Sequence, residues 1–106
     1  MINPADPADE APWRTDDAAR LYRTHAWGEG YFSVNAAGHV EVSVPGHGPR
    51  VDLAELADEV QLHGLRLPVL VRFVDILADR ITCLADAFDA ARAEHGYAGR
   101  YTVVYP

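Results

Sequence analysis

The chain has 106 residues, which is the size of one small domain. Hydrophobic residues make up 49% and charged residues 24%, values typical of globular proteins, which argues against a disordered or collagen-like chain. The formal net charge is −7 and all nine cationic residues are arginines, which disfavours nucleic-acid binding and excludes chemistry that needs a lysine side chain.

The first segment, residues 1–12, is rich in proline, alanine and acidic residues and lacks periodic apolar positions. Such a stretch buries too little surface to offset its ordering entropy, so we expect a disordered leader followed by one incomplete domain over residues 13–106. The leader has neither a basic nor an apolar region of the kind found in signal peptides. No apolar run approaches the roughly 20 residues of a membrane span, and we expect a soluble, cytoplasmic protein with no membrane partner.

The first ordered elements are a helix and a hairpin. Thr15 is positioned to cap a helix that begins with two acids and ends by Gly28. Residues 31–35 and 39–44 are β-prone runs separated by a three-residue loop that ends in Gly38, a pattern typical of a hairpin with a bulge. In the second run valines alternate with polar residues, which predicts one solvent-facing side.

The middle of the chain contains a turn, a helix and an apolar run. Residues 45–49 are rich in turn-forming types, and Asp52 is positioned to cap a helix that stops at Gly64. The nearly continuous apolar run over residues 68–74 predicts a strand covered on both faces.

The last elements predict a β-α-β unit. Asp75 is placed to cap the longest helix, which extends to about His95, and residues 100–105 read as a second strand. The two strands should lie parallel with a right-handed crossover. A two-stranded parallel sheet is hardly ever found alone, so the chain is expected to be the first part of something larger.

Histidines do not predict a metal site, because no two of them have the short spacing that places two ligands on one helix or strand face. His63 and His95 each precede a glycine at a helix end, which indicates a structural role. The five histidines are at positions 25, 39, 47, 63 and 95.

No nucleophile is predicted either. Cys83 lies beside the apolar stripe of the longest helix, which favours a buried, inert thiol. Ser33 and Ser43 lie in strands without a nucleophile turn, and Asp86 and Asp89 are expected to form solvated helix surface.

Aromatic residues surround two glycines in residues 27–32, with Trp27, Tyr31 and Phe32 in one short loop. This density indicates close packing of backbone under large rings. The loop is either a structural corner or one wall of a site completed by other sequence.

Three tracts together resemble a known family. Residues 21–23, residues 27–40 (WGEGYFSVNAAGHV) and residues 67–73 (LPVLVRF), with the pattern of residues 96–106, closely resemble the N-terminal region of biosynthetic arginine decarboxylases. The resemblance runs from about Trp13 onward in the same order. It implies a mixed α/β fragment at the entry of a pyridoxal-phosphate (β/α)8-barrel of the alanine racemase type.

The resemblance also implies a function for the whole family: a cytoplasmic lyase that converts arginine to agmatine and carbon dioxide in polyamine and spermidine biosynthesis. Its cofactor is pyridoxal phosphate, possibly accompanied by magnesium. In the family the pair matching Tyr105 and Pro106 is followed, two residues on, by the lysine that holds the cofactor. We therefore expect an N-terminal fragment that is inactive alone, with no catalytic, cofactor-binding or metal-binding residue of its own.

Two further expectations concern contacts. Arg72, in the first strand of the β-α-β unit, should pair with an acid rather than touch substrate. The alternative to a fragment of an enzyme is a non-catalytic module that associates with a full-length decarboxylase, with the remainder of the barrel, or with itself as a homo-oligomer.

Overall fold

A computed structural model describes residues 11–104. The bounds of its elements, in chain order, are α1 (Thr15–Tyr22), α2 (Thr24–Trp27), β1 (Phe32–Val34), β2 (Val40–Val44), β3 (His47–Asp52), α3 (Leu53–Leu62) and α4 (Val74–Glu94). The three strands form one antiparallel sheet in the order β1-β2-β3. The mixed α/β class is therefore confirmed. The predicted leader, except for its last two residues, lies outside the described residues.

The predicted first helix is divided in two. Its cap is Arg14 rather than Thr15, and the backbone N–H of Arg14 donates to the side chain of Asp17 over 3.0 Å. The chain turns left-handed at Arg23, with φ 52°, which ends α1 and starts α2. The second helix ends at Gly28, as predicted.

The hairpin of β1 and β2 is confirmed. Phe32 pairs with Val42 and Val34 pairs with Val40. In the connecting loop Gly38 has φ 83°, a conformation that glycine adopts without the steric cost of a side chain.

The third strand was missed by the sequence prediction, which assigned residues 45–49 to a turn. Gly46, with φ 74°, closes a tight turn, and Val44 then pairs with His47 at the start of β3. Pro49 lowers the strand propensity of this segment but is tolerated because β3 is an edge strand of the sheet.

The helix α3 begins after Asp52 and is followed by Gly64 at φ 86°, as predicted. The longest helix is also confirmed, but its N-cap is Phe73, and Asp75 lies within its first turn instead of capping it. The helix ends at Glu94 with His95 as its C-cap, in agreement with the predicted end at about His95.

The two strands of the predicted β-α-β unit are not formed. Residues 68–73 and residues 100–104 carry no strand pairing, so the described residues contain no parallel sheet and show no barrel entry. A strand forms only when its backbone is hydrogen-bonded to a neighbouring strand. A parallel pair of strands is stable when further strands and helices cover it. The described part of the chain supplies one helix and no third parallel strand.

The core of the described residues is small and lies at the sheet. Tyr31, Val42 and Val44 are the buried hydrophobic residues, and Thr24 is buried beside them. The radius of gyration is 21.0 Å, whereas a compact domain of about 100 residues has roughly 13 Å. Much of the apolar surface of the second half of the chain is therefore uncovered.

Candidate functional site

The most distinctive surface is an apolar cleft beside α4. Leu77, Ile81 and Leu84 follow one another at helical spacing and remain 60%, 51% and 46% exposed. With Val103 and Val104 they line a cleft of about 820 Å³. We call this surface the α4 cleft. Apolar side chains at helical spacing normally face a core, so their exposure makes the α4 cleft a candidate place for another surface to bind.

The α4 cleft lies between the segments that the sequence predicted to be strands. Tyr101 is held on the helix by its hydroxyl, which donates to the carbonyl oxygen of Ala85 over 2.8 Å. Its ring stacks on Phe88 with centroids 5.1 Å apart, and the guanidinium of Arg92 lies 5.5 Å from its centroid. Burial, followed by the charge of Asp89, raises the pKa of Tyr101. The chain after α4 therefore returns along the helix.

Two arginines, Arg72 and Arg80, line the α4 cleft among its apolar residues. Within residues 11–104, no carboxylate oxygen lies within 4.0 Å of either guanidinium, although three other arginines are paired with acids. The acid partner expected for Arg72 is thus not found in the described part of the chain.

One hydrogen bond in the described part of the chain connects the residue before β1 to α4. The hydroxyl of Tyr31, a residue only 7% exposed, donates to the carboxylate of Asp79. This hydrogen bond, then burial and the negative charge of Asp79, raises the pKa of Tyr31. The nearby guanidinium of Arg80 lowers it to a smaller extent, first as a hydrogen-bond donor and then through its charge. The thiol of Cys83 lies 3.9 Å from the same carboxylate. The hydrogen bond between Tyr31 and Asp79 thus holds α4 against the small core.

A second polar cluster surrounds Asp52. One carboxylate oxygen accepts from the backbone N–H groups of Ala54 (2.9 Å) and Glu55 (3.1 Å). The other lies 2.7 Å from Nδ2 of Asn35 and 2.8 Å from Nδ1 of His39. Partial burial raises the pKa of Asp52, but the hydrogen bonds outweigh it and bring the pKa down to about 2. The cluster joins the hairpin loop to the start of α3, which is a structural role.

The aromatic loop is closely packed. The rings of Trp27 and Phe32 lie 5.3 Å apart, and Nε1 of Trp27 donates to the carbonyl oxygen of Tyr22 over 2.8 Å. A Cβ atom at Gly28 would overlap the carbonyl oxygen of Thr24 and lie 3.0 Å from Cβ of Phe32. The close packing predicted for this loop is therefore confirmed, and its alternative role as one wall of a site completed by other sequence stays a prediction.

The structure gives the environments of the cysteine, the two serines and two of the aspartates on α4. Cys83 is exposed, so the prediction of a buried thiol is wrong, because nothing in the described residues covers its side of α4. Ser33 and Ser43 lie in the hairpin strands, as predicted. Asp86 and Asp89 are exposed, also as predicted.

The metal-ligating side chains of the described residues are not gathered in one place. His63 and His95 lie at the C-caps of α3 and α4, as predicted. Within residues 11–104, no group of three His, Cys, Asp or Glu side chains is arranged to hold a metal ion. The chain contains no lysine, so it does not fit pyridoxal phosphate held as a Schiff base. In the same residues, no helix has both the length and the apolar composition needed to cross a membrane.

The chain is similar to curated proteins named biosynthetic arginine decarboxylase. It is 47% identical over 107 residues to the protein of Prochlorococcus marinus (strain MIT 9313), with 99% of this chain and 16% of that protein covered. It is 49% identical over 94 residues to that of Xanthomonas axonopodis pv. citri, with 89% and 15% covered. Biosynthetic arginine decarboxylase 1 of Synechocystis is 48% identical over 105 residues, with 98% and 15% covered.

The chain therefore spans about one sixth of the length of these relatives. No family model matches it. No solved structure matches it either.

Proposed function

Since the chain is homologous over nearly its whole length to biosynthetic arginine decarboxylases and corresponds to an N-terminal part of them, we propose that it serves as the N-terminal structural segment of such an enzyme. In this role the hairpin of β1 and β2, the helix α3 and the aromatic corner (residues 27–32) form a small folded unit, which we call the folded base. The α4 cleft is the surface on which the remainder of the enzyme packs. The reaction of the complete protein would be the decarboxylation of arginine.

The observation that carries this proposal is the α4 cleft. Its leucine and isoleucine side chains stay about half exposed although they lie at helical spacing, as core-facing residues do. The relatives contain roughly six times as much chain as this one, so they have the material to cover it. The segments on either side of α4 would then become strands when they gain neighbours.

The proposal assigns the cofactor to the remainder of the enzyme. Pyridoxal phosphate, the cofactor expected from the resemblance, would take up the electrons released when carbon dioxide leaves the substrate. Holding it requires a lysine amine, and these 106 residues contain none. The segment therefore contributes packing surface and orientation, and we propose that the 106-residue polypeptide by itself has no decarboxylase activity.

A graft tests the structural role. In the full-length Xanthomonas axonopodis pv. citri relative, the matching 94-residue segment is replaced by the corresponding residues of this chain. We expect this graft to release agmatine from arginine at a rate within about tenfold of its parent. A control graft in which the same residues are placed in scrambled order should be inactive. A soluble but inactive graft would contradict the proposal.

The second test concerns the 106-residue polypeptide alone. It is incubated with pyridoxal phosphate, reduced with borohydride and mapped by peptide mass spectrometry. We expect no stoichiometric label on any side chain and no agmatine from arginine. A labelled side chain, or measurable release of agmatine, would refute the assignment of the cofactor to the remainder of the enzyme.

A further inference from the structure

The cationic residues of the α4 cleft indicate the chemistry of the surface that covers it. We propose that the covering polypeptide, the remainder of the enzyme, places carboxylate side chains opposite Arg72 and Arg80. This inference rests on the proposed function, and it adds a specific charge pattern to a surface otherwise expected to be only apolar.

The first step is the position of the two guanidiniums. Arg80 lies on α4 next to Ile81, and Arg72 lies in the segment that leads into the helix. Both line the same cleft as Leu77, Leu84 and two valines, so a surface that covers the apolar residues also covers at least part of both arginines.

The second step is the cost of covering them. Arginine stays charged at any physiological pH, so it cannot avoid burial by losing its proton. A buried charge without a partner is strongly destabilising, whereas a hydrogen-bonded pair with a carboxylate offsets much of the desolvation. The planar guanidinium forms two parallel hydrogen bonds with a carboxylate, which makes an acidic side chain its best-matched partner.

The third step is that no carboxylate within residues 11–104 lies within 4.0 Å of either guanidinium. Asp79 accepts the hydroxyl of Tyr31, and Asp89 pairs with Arg92 at 3.1 Å. Asp75 shares a smaller cleft with Arg72, but its carboxylate is not within 4.0 Å of the guanidinium. The negative charge is therefore assigned to the covering surface.

The experiment uses the active graft and three matched variants: Arg72→Met, Arg80→Met and, as a control, Arg66→Met. Methionine keeps the unbranched apolar stem of arginine and removes the charged guanidinium. Arg66 is exposed and does not line the α4 cleft. The rate of protease cleavage within residues 74–94, measured under native conditions, reports how often the covering surface opens.

We expect Arg72→Met and Arg80→Met each to raise the cleavage rate by about tenfold or more, because each leaves a buried carboxylate unpaired. Arg66→Met should change it by less than about threefold. Rates at all three positions that stay within threefold of the active graft would overturn this inference and leave the proposed function standing. An inactive parent graft would overturn the proposed function, and this inference with it.

A genetic selection identifies the partner side chains. Arg72→Glu and Arg80→Glu are placed in the graft in a host whose growth depends on arginine decarboxylase activity, and second-site revertants are sequenced. Revertants that change an acidic residue outside the grafted segment to Lys or Arg support the inference. Revertants that lie only at apolar positions or within the segment count against it.

Discussion

Whether another surface covers the α4 cleft can be tested by making the cleft polar without disturbing the helix. The double substitution Leu77→Gln and Leu84→Gln keeps high helix propensity at both positions, because glutamine and leucine are similar in this respect. We expect it to leave α4 helical and to weaken the contact between the segment and the remainder of the enzyme.

The magnitude follows from the exposed fractions of the two side chains. Leu77 is 60% exposed and Leu84 is 46% exposed, so about half of each side chain is still available for burial. Full burial of a leucine stabilises by about 1.5–3 kcal/mol, so covering the remaining half contributes about 1 kcal/mol at each position. The double variant should therefore lose about 2 kcal/mol, which corresponds to a factor of roughly 30. Buried amides without hydrogen-bond partners would increase the loss.

The assay is again protease cleavage within residues 74–94 of the active graft, since cleavage of a transiently opened segment follows the population of the open form. We expect the double variant to be cleaved about 30-fold faster than the parent graft. The matched control is Leu62→Gln, at a leucine that is 87% exposed and lies outside the cleft. Its cleavage rate should stay within about threefold of the parent.

Two results would refute this reasoning. Equal cleavage rates in the parent and the double variant would mean that the α4 cleft stays open to solvent in the complete protein. Equal acceleration by the double variant and by Leu62→Gln would mean that any loss of an apolar side chain opens the segment, and that the cleft has no special role.

Three further predictions concern the folded base, and each is measured in the active graft by hydrogen exchange with mass spectrometry. Asp52→Ala should speed exchange in the first turn of α3. Because hydrogen bonds hold the pKa of Asp52 at about 2, its contribution to stability should be complete above about pH 4 and lost as the pH falls through about 2. A difference from the parent that does not change with pH would contradict this. Gly28→Ala should loosen α2 and β1, because the new methyl group would overlap the carbonyl oxygen of Thr24, and unchanged exchange there would show that the corner relaxes freely. Tyr31→Phe removes the hydroxyl bound to Asp79 and should speed exchange at the start of α4 without affecting α3; equal effects on both helices would indicate a general loss of stability.

Helices and the hairpin were predictable where the residues that determine them are neighbours in the sequence. The helix after Asp52 needs only a carboxylate that reaches the free N–H groups two and three residues later. The hairpin needs only two β-prone runs and a glycine in a left-handed conformation, which Gly38 supplies. The third strand was missed because Gly48 and Pro49 have low strand propensity, and its formation depends on pairing with β2.

The candidate site was only partly predictable, because contacts between residues far apart in the chain leave no local sequence signal. The apolar spacing on α4 could be found in the sequence, as could the run over residues 68–74. The pairing of Tyr31 with Asp79, 48 residues apart, has no local signal. The lack of a carboxylate within 4.0 Å of Arg72 in residues 11–104 has no local signal either. Cys83 was expected to be buried because the sequence pattern describes which face of a helix is apolar and does not say whether anything covers it.

The sequence by itself thus determined the family resemblance, the lack of a lysine, the helix boundaries to within a few residues and the hairpin, because each depends on residues close together in the chain or on composition. The tertiary structure decided which apolar surfaces are covered. It gave a small core around Val42 and Val44, and it left residues 68–73 and 100–104 without a neighbouring strand in the described part of the chain. Burial and strand pairing are properties of two surfaces at once, so the residues of one surface cannot specify them alone.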